Sequence, residues 1–266
     1  MSCACGHHHA TTTDDSGTPA RLSVPMVALH GSLTCADMGQ MMTALSLLPD
    51  HVDLSRTEPG CLRFDITQSE DPMVWTLSEV FADADAFAAH QARTADSIWG
   101  RDSRDLGRDF HRHDLHPLIR AEVAGDHAAL DRLLTDAFGS PAEAQLLRKL
   151  RENGDLEMSL VAHAQGVPIG HVALSRLSAE RPALALAPMA VHPALQGRGL
   201  GTALVHMALQ AAGERPVVVL GDPAFYARMG FAPADLQSPY AGPALQIFGD
   251  LPKGSRVIHA SAFSDL

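Results

Sequence analysis

The sequence predicts an α+β protein of two successive units, and three observations carry that expectation. A length of 266 residues is nearer two domains than one at roughly 150 residues each. Charge density changes part-way, since residues 1–116 hold 8 basic and 17 acidic side chains while residues 117–266 hold 12 and 14. The hydrophobic pattern changes at the same place, from short strands around two helices to two leucine-rich helices and long apolar strands. The boundary is therefore expected near residue 115, dividing a tail (1–22), a first unit (23–115) and a second unit (117–266). With 46% hydrophobic and 19% charged residues, there is apolar mass for two cores.

In the first unit, the pattern from Val24 reads strand, helix, strand, strand, helix, strand. Met38, Met41, Met42, Leu45 and Leu48 recur at helical spacing. Leu62, Phe64 and Ile66 alternate, as do Met73, Trp75, Leu77, Glu79 and Phe81, with Glu70-Asp71-Pro72 as the turn between them. Ala84, Phe87, Ala88 and Gln91 mark a second short helix, and a last strand is expected over Leu106 to His113. This order is the split βαβ, ferredoxin-like one. The stretch holding His111, His113 and His116 reads as a solvated linker face, with metal binding as the alternative.

The second unit opens at Leu118-Ile119-Arg120. A helix through Leu130, Leu133, Leu134 and Ala137 is expected to close at Gly139, and a second carries Leu146, Leu147 and Leu150. Extended segments follow at Ser159–Ala164, Ile169–Leu177 and Ala183–Val191, the first two joined by a turn at Gly166-Val167-Pro168. Leu200, Ala203, Leu204, Met207, Ala208 and Ala211 then fall on one helical face, and Pro216–Leu220 suits a buried strand. There is no internal repeat.

Composition also excludes some classes of function. The net charge of −11 and the lack of a basic stripe argue against nucleic acid as the main partner. No apolar run approaches the ~20 residues of a spanning helix. The N-terminus lacks the charged and apolar regions of a secretory leader. Cysteines stand only at 3, 5, 35 and 61, so no disulfide framework is expected and a reducing cytoplasm is the expected compartment. Cys3, Cys5 and His7 to His9 read as a polar leader; the alternative is a zinc or copper site, and no metal is assigned.

The most informative segment is Leu186 to Thr202, LAPMAVHPALQGRGLGT. An apolar strand ends at Val191-His192-Pro193, and Gln196-Gly197-Arg198-Gly199-Leu200-Gly201 runs directly into a helix. Glycines there allow a sharp turn and a close approach of backbone N–H groups to an anion, and the helix start adds unpaired donors and partial positive charge. The glycine spacing and the lack of a suitably placed acidic residue exclude a Rossmann dinucleotide loop. Residues 117–266 resemble the GNAT N-acetyltransferase superfamily, whose Gln/Arg-x-x-Gly-x-Gly/Ala signature follows a Val-x-Pro strand end in a mixed-sheet α/β domain. The resemblance implies that Gln196, Gly197, Arg198, Gly199, Leu200, Gly201 and Thr202 hold the acetyl-CoA pyrophosphate through main-chain N–H groups. It also implies that Met189, Ala190 and Val191 pair with the pantetheine arm.

A second signature, Phe225-Tyr226-Ala227-Arg228-Met229-Gly230-Phe231, matches the family's Tyr-x-x-x-Gly-Phe. The resemblance implies that Tyr226 lies beside the CoA sulfur and donates to the leaving thiolate. Tyr titrates near 10 and a thiol near 8.5, so full proton transfer is uphill by about 2 kcal/mol, and a hydrogen bond to the developing thiolate is the expected role. The attacking amine must lose a proton. His171, His192, Asp222 and Glu143 are base candidates by location, and the sequence singles out none of them.

In the first unit, Glu58-Pro59-Gly60-Cys61-Leu62-x-Phe64, Trp75-x-x-x-Glu79-x-Phe81 and Ala86-Phe87-x-x-His90 resemble the antibiotic-biosynthesis monooxygenase (ABM) family. That resemblance implies a ferredoxin-like fold, homodimerisation through the sheets, and His90 as a base for a phenol in a site lined by His51, Trp75 and Trp99. A structural role for His90 stands equally open. The leading expectation is an acetyl-CoA-dependent N-acyltransferase acting on a small-molecule or protein amine, fused to an ABM-like unit with room for an aromatic ligand. The alternatives are an acyl-CoA sensor without transfer, and a cofactor-free quinol-type monooxygenase with an accessory GNAT unit.

Overall fold

The computed structural model describes residues 18–19 and 22–265. Cys3, Cys5 and His7 to His9 lie outside the described residues. The first unit comprises strand β1 (Met26–Thr34), helix α1 (Met38–Arg56), β2 (Cys61–Gln68), β3 (Val74–Phe81), helices α2 (Ala84–Asp96) and α3 (Ile98–Asp102), and β4 (Gly107–Leu115). The strands form one antiparallel sheet in the order β2-β3-β1-β4, the ferredoxin-like arrangement. Asp37 and Asp83 start α1 and α2, their carboxylates accepting from the N–H groups of Gln40 (2.9 Å) and Ala86 (2.7 Å). Period-two alternation turns Val27, Leu29 and Leu33 of β1, with Trp75, Leu77 and Phe81 of β3, toward the helices.

Strand β4 continues past the expected end. His111 and His113 are ladder residues opposite His30 and Ala28, so they belong to a strand and not to a linker. They sit in register with β1 at the sheet's edge, where charged side chains are tolerated in solvent.

The second unit comprises β5 (Leu118–Ala121), α4 (His127–Phe138), α5 (Ala142–Glu152), β6 (Leu156–Ala164), β7 (Val167–Ser178), β8 (Ala183–Val191), α6 (Leu200–Ala212), β9 (Val217–Leu220), α7 (Pro223–Ala227) and β10 (Leu245–Phe248). The sheet runs Thr18–Pro19, β5, β6, β7, β8, β9, β10, Ala232–Pro233, with Ile258–His259 added on β7. Among the described strands of this sheet, β8 and β9 pair in parallel and the rest antiparallel, so the sheet is mixed. Helix α6 covers one face through Leu200, Leu204, Val205 and Ala208, and α4 and α5 cover the other through Leu130, Leu134 and Leu147. Gly139 ends α4 as expected, its N–H donating to Thr135 O at 2.8 Å. The β6–β7 turn is made by Gln165 and Gly166, one residue before its expected place, both at positive φ.

Under α4 and α5 a buried polar group closes the sheet. The Glu122 carboxylate accepts from the Ser159 hydroxyl and pairs with Arg151 (2.7 Å) and His127 (3.0 Å). Ser159 Oγ lies 2.7 Å from His171 Nε2. Burial alone would raise the Glu122 carboxyl, but His171, Arg151 and Ser159 outweigh it and hold the pKa at about 2.

The two units share an interface. Met26, Ala28, Val80 and Ala82 point from the sheet's other face and are at most 1% exposed. Met26, Val80 and Ala82 join one apolar cluster with Ile119, Ile169 and Leu195 of the second unit. The β6–β7 turn rests on the same face: Arg63 donates to Gln165 O (2.7 Å) and Oε1 (3.2 Å), and Gln165 Nε2 lies 3.0 Å from His113 Nε2. The face of the ABM-like sheet expected to meet a second copy is covered here by the chain's own second unit.

Two outcomes follow. The depressed Glu122 carboxyl contributes stability that is complete above the usual carboxylate range near 4.5 and is lost as pH falls toward 2. Urea unfolding between pH 7 and pH 3 is expected to show a loss of about 2 kcal/mol that Glu122→Gln flattens. The Asp83–Arg198 ion pair joins the units at 2.5 Å. Asp83→Asn keeps an α2 cap, and a double-mutant cycle with Arg198→Gln is expected to give about 1 kcal/mol of coupling.

Candidate active site

Strands β8 and β9 stay together for three register pairs only, Leu184–Val217, Ala185–Val218 and Leu186–Val219. Beyond Leu186 the chain enters Ala187-Pro188, and Pro188 has no N–H to extend a ladder. The parting leaves two hollows on either side of Phe138, Met189 and Phe225, which line both. One is a cleft of about 530 Å3 walled by Met189, Ala190, Val191, Gln196, Gly197, Gly199, Gly201 and Thr202. The other is a cavity of about 540 Å3 with Tyr226, Glu143, Asp222, Tyr240 and His259 on its walls.

The cleft is built by the loop between β8 and α6. Gln196 ties the loop to the strand end, its Nε2 donating to Val191 O at 3.2 Å. Gly197 (φ 74°) and Gly199 (φ 90°) sit in the left-handed region, which a side chain at either position would strain. Helix α6 begins immediately after, and the N–H groups of its first turn lack helical partners. A groove of backbone donors at the positive end of a 13-residue helix suits a pyrophosphate.

Two loop residues have a different side-chain use from the rest. Leu200 is 1% exposed and packs in the core, leaving only its N–H for the cleft. Arg198 turns away from the cleft to the first unit, where Nη2 meets Asp83 Oδ2 at 2.5 Å and Nη1 donates to Ala82 O at 2.9 Å. Its carbonyl accepts from Ser23 N at 3.4 Å.

Tyr226 is held in α7, which Asp222 caps by accepting from Ala224 N at 3.0 Å. The ring is 6% exposed and meets Phe225 and Phe231 edge-on at 4.9 and 5.3 Å. Gly221 makes room for it: a Cβ there would lie 2.5 Å from Tyr226 Cε2. Burial pushes the phenol up to about 12. It is therefore a neutral hydrogen-bond donor at pH 7, unsuited to complete proton transfer.

Residues 127–231 match the Acetyltransferase (GNAT) family. The chain is 42% identical over 121 residues to the uncharacterized N-acetyltransferase YhbS of Escherichia coli strain K12, spanning 43% of this chain and 72% of YhbS. The chain belongs to the GNAT family. The uncharacterized N-acetyltransferase YjhQ of the same strain is 33% identical over 128 residues, spanning 44% of this chain and 71% of YjhQ. A 1.55 Å crystal structure of Escherichia coli YhbS in complex with CoA is similar at TM-score 0.53 and 36% identity, over 56% of this chain and 93% of that one. Residues 26–95 match the Antibiotic biosynthesis monooxygenase family, so the chain joins an ABM unit to its GNAT unit.

Of the four base candidates in the GNAT unit, Glu143 and Asp222 reach the tyrosine-lined cavity. His171 does not, being 0% exposed and committed to the Glu122–Ser159 group. His192 is used locally, its Nδ1 accepting from Ala194 N at 3.3 Å, and lines neither hollow. His259, which the sequence reading missed, lies on the cavity wall between Tyr240 (5.0 Å) and Phe263 (5.4 Å). Burial lowers its imidazole below the ordinary value. No local motif marks it, because a strand pair far along the chain (with β7) brings it there.

In the ABM unit, His90 is 2% exposed, with Nδ1 2.8 Å from Glu58 Oε2. Arg93 Nε donates to the other Glu58 oxygen at 2.6 Å, and the rings of Phe64, Phe81 and His51 surround His90 at 5.0–5.8 Å. Burial lowers the imidazole pKa against the opposing pull of Glu58. His51, Trp75 and Trp99 are also buried, at 5%, 8% and 6%. The structure thus sets His90 inside a packed layer and not on either hollow.

A methyl at residue 221 collides with the Tyr226 ring. Gly221→Ala is expected to cost about 1–3 kcal/mol of stability and to displace the phenol, read as a change in tyrosine fluorescence and a lower kcat for acetyl-CoA turnover.

Proposed function

We propose that the chain is an acetyl-CoA-dependent N-acetyltransferase whose ABM unit is a docked structural partner. The observation that carries this reading is that the backbone-lined cleft and the Tyr226 cavity share the walls Phe138, Met189 and Phe225. The pyrophosphate lies on the N–H groups of residues 196–202, the pantetheine arm pairs along Met189–Val191, and the thioester reaches the parting of β8 and β9. The CoA held by YhbS, a 36% identical relative, supports the choice of cosubstrate.

Chemistry then needs little more than positioning. The acceptor ammonium gives one proton to solvent and its nitrogen attacks the thioester carbonyl. The N–C bond forms, a second proton leaves the nitrogen, and the C–S bond breaks. One of the two protons ends on the CoA sulfur and the other in solvent. The Tyr226 hydroxyl donates a hydrogen bond to the sulfur as negative charge develops there.

Division of labour is part of the proposal, with residues 23–115 as the docked ABM unit and 117–266 as the acetyltransferase. The buried environment of His90 favours the structural role over oxidation of a phenol. The reading places the enzyme in a reducing cytoplasm. Cys35 and Cys61 are free, and no helix among the described residues is long and apolar enough to cross a membrane.

Calorimetric titration with acetyl-CoA tests the proposal first, and sub-millimolar affinity is expected. Tyr226→Phe is expected to keep that affinity and lower kcat about 10²-fold. Unchanged turnover by Tyr226→Phe would remove Tyr226 from the mechanism, and no binding of acetyl-CoA would remove the whole reading.

A further inference from the structure

We propose that the acceptor is a small primary amine on an apolar, aromatic-sized body, carrying no carboxylate and no second cationic centre. This rests on the acetyltransferase reading and names the substrate class of its tyrosine-lined cavity.

Charge decides the first half of the argument. Glu143 and Asp222 are the carboxylates on the wall, and no Lys or Arg stands among the described lining residues. Glu143 keeps its carboxylate near the α5 start, where Oε2 accepts from the Ser140 hydroxyl at 3.3 Å. An ammonium group entering here meets two anions. A carboxylate entering here meets the same two anions and no cation, so it is desolvated without compensation. His259 supplies no compensating charge, because burial favours its neutral form.

The walls decide the second half. Leu146, Leu245 and Phe263 line the cavity and are buried. The Tyr240 hydroxyl donates to Phe263 O at 2.9 Å, so this residue presents its ring to the cavity and spends its polar end elsewhere. Tyr240, His259 and Phe263 together make an aromatic end wall, with ring centroids 5.0–5.4 Å apart along the contacts through His259. A flat apolar body packs against such a wall, whereas a second ammonium buried among leucines has no partner. A cavity of about 540 Å3 has the size of a small-molecule site.

Release of CoA from acetyl-CoA by the full chain, measured with matched amines, tests the class. Phenylalaninol and phenylalanine carry amines of similar basicity and differ in a hydroxymethyl against a carboxylate, and kcat/KM is expected to favour the alcohol about 10²-fold. 2-Phenylethylamine is expected to exceed spermidine and a lysine-containing peptide by a similar margin. Glu143→Gln is expected to raise KM for 2-phenylethylamine about 10-fold, with the acetyl-CoA Kd unchanged in calorimetry. Turnover of phenylalanine, spermidine or the peptide as fast as that of 2-phenylethylamine overturns the proposal. So does tight acetyl-CoA binding with no turnover of any apolar amine. Failure to bind acetyl-CoA is a different result, because it overturns the acetyltransferase reading underneath as well.

Discussion

The parting of β8 from its neighbours is the constraint on which the site depends. Parallel pairing with β9 stops at Leu186, and the ladder with β7 skips from Leu186 to Met189. Ala187-Pro188 is thus released on both sides, and an otherwise continuous sheet opens at its centre. Everything placed around the opening uses a different local device. Glycines turn the β8–α6 loop, Asp222 caps the short helix that carries Tyr226, and Gly221 leaves space for the ring. A tight sheet would leave these devices without a hollow to serve.

The ABM unit docks on the same loop. Arg198 extends from the glycine loop to the start of α2, and a backbone bond from Ser23 holds its carbonyl. The sheet face above is sealed by Met26, Val80 and Ala82. Two consequences meet in this arrangement. The loop gains contacts to the first unit, and one face of the ABM sheet is covered by the chain's own second unit. Burying apolar area within one chain avoids the cost of association, which makes the covalent partner the favoured occupant of that face.

Much of the fold was legible because it is written in local patterns. The methionines and leucines of α1 and α6 fall at helical spacing, Gly139 marks the end of α4, and alternation at Trp75, Leu77 and Phe81 marks a half-buried strand. The glycine loop was legible for the same reason, since its chemistry is that of the backbone and needs only the right residues in order. Strand β4 runs past its expected end at His113 through Asp114 and Leu115, because their ladder pairing with Val27 and Met26 outweighs the polar character of the segment. His259 was missed because nothing within ten residues of it signals a cavity.

Sequence alone determined the two units, the order of their main elements, the glycine loop at Gln196–Thr202 and the tyrosine at 226. These follow from periodicity, turn chemistry and spacing, which act over a few residues. Tertiary structure alone decided which neighbours each side chain would meet. It turned Arg198 from the loop to Asp83, closed His90 among Phe64, Phe81 and Glu58, sealed His171 behind Ser159, and brought Glu143, Asp222 and His259 to one cavity. The physical reason is that burial and charge pairing depend on contacts between residues far apart in the chain, and no local pattern encodes those contacts.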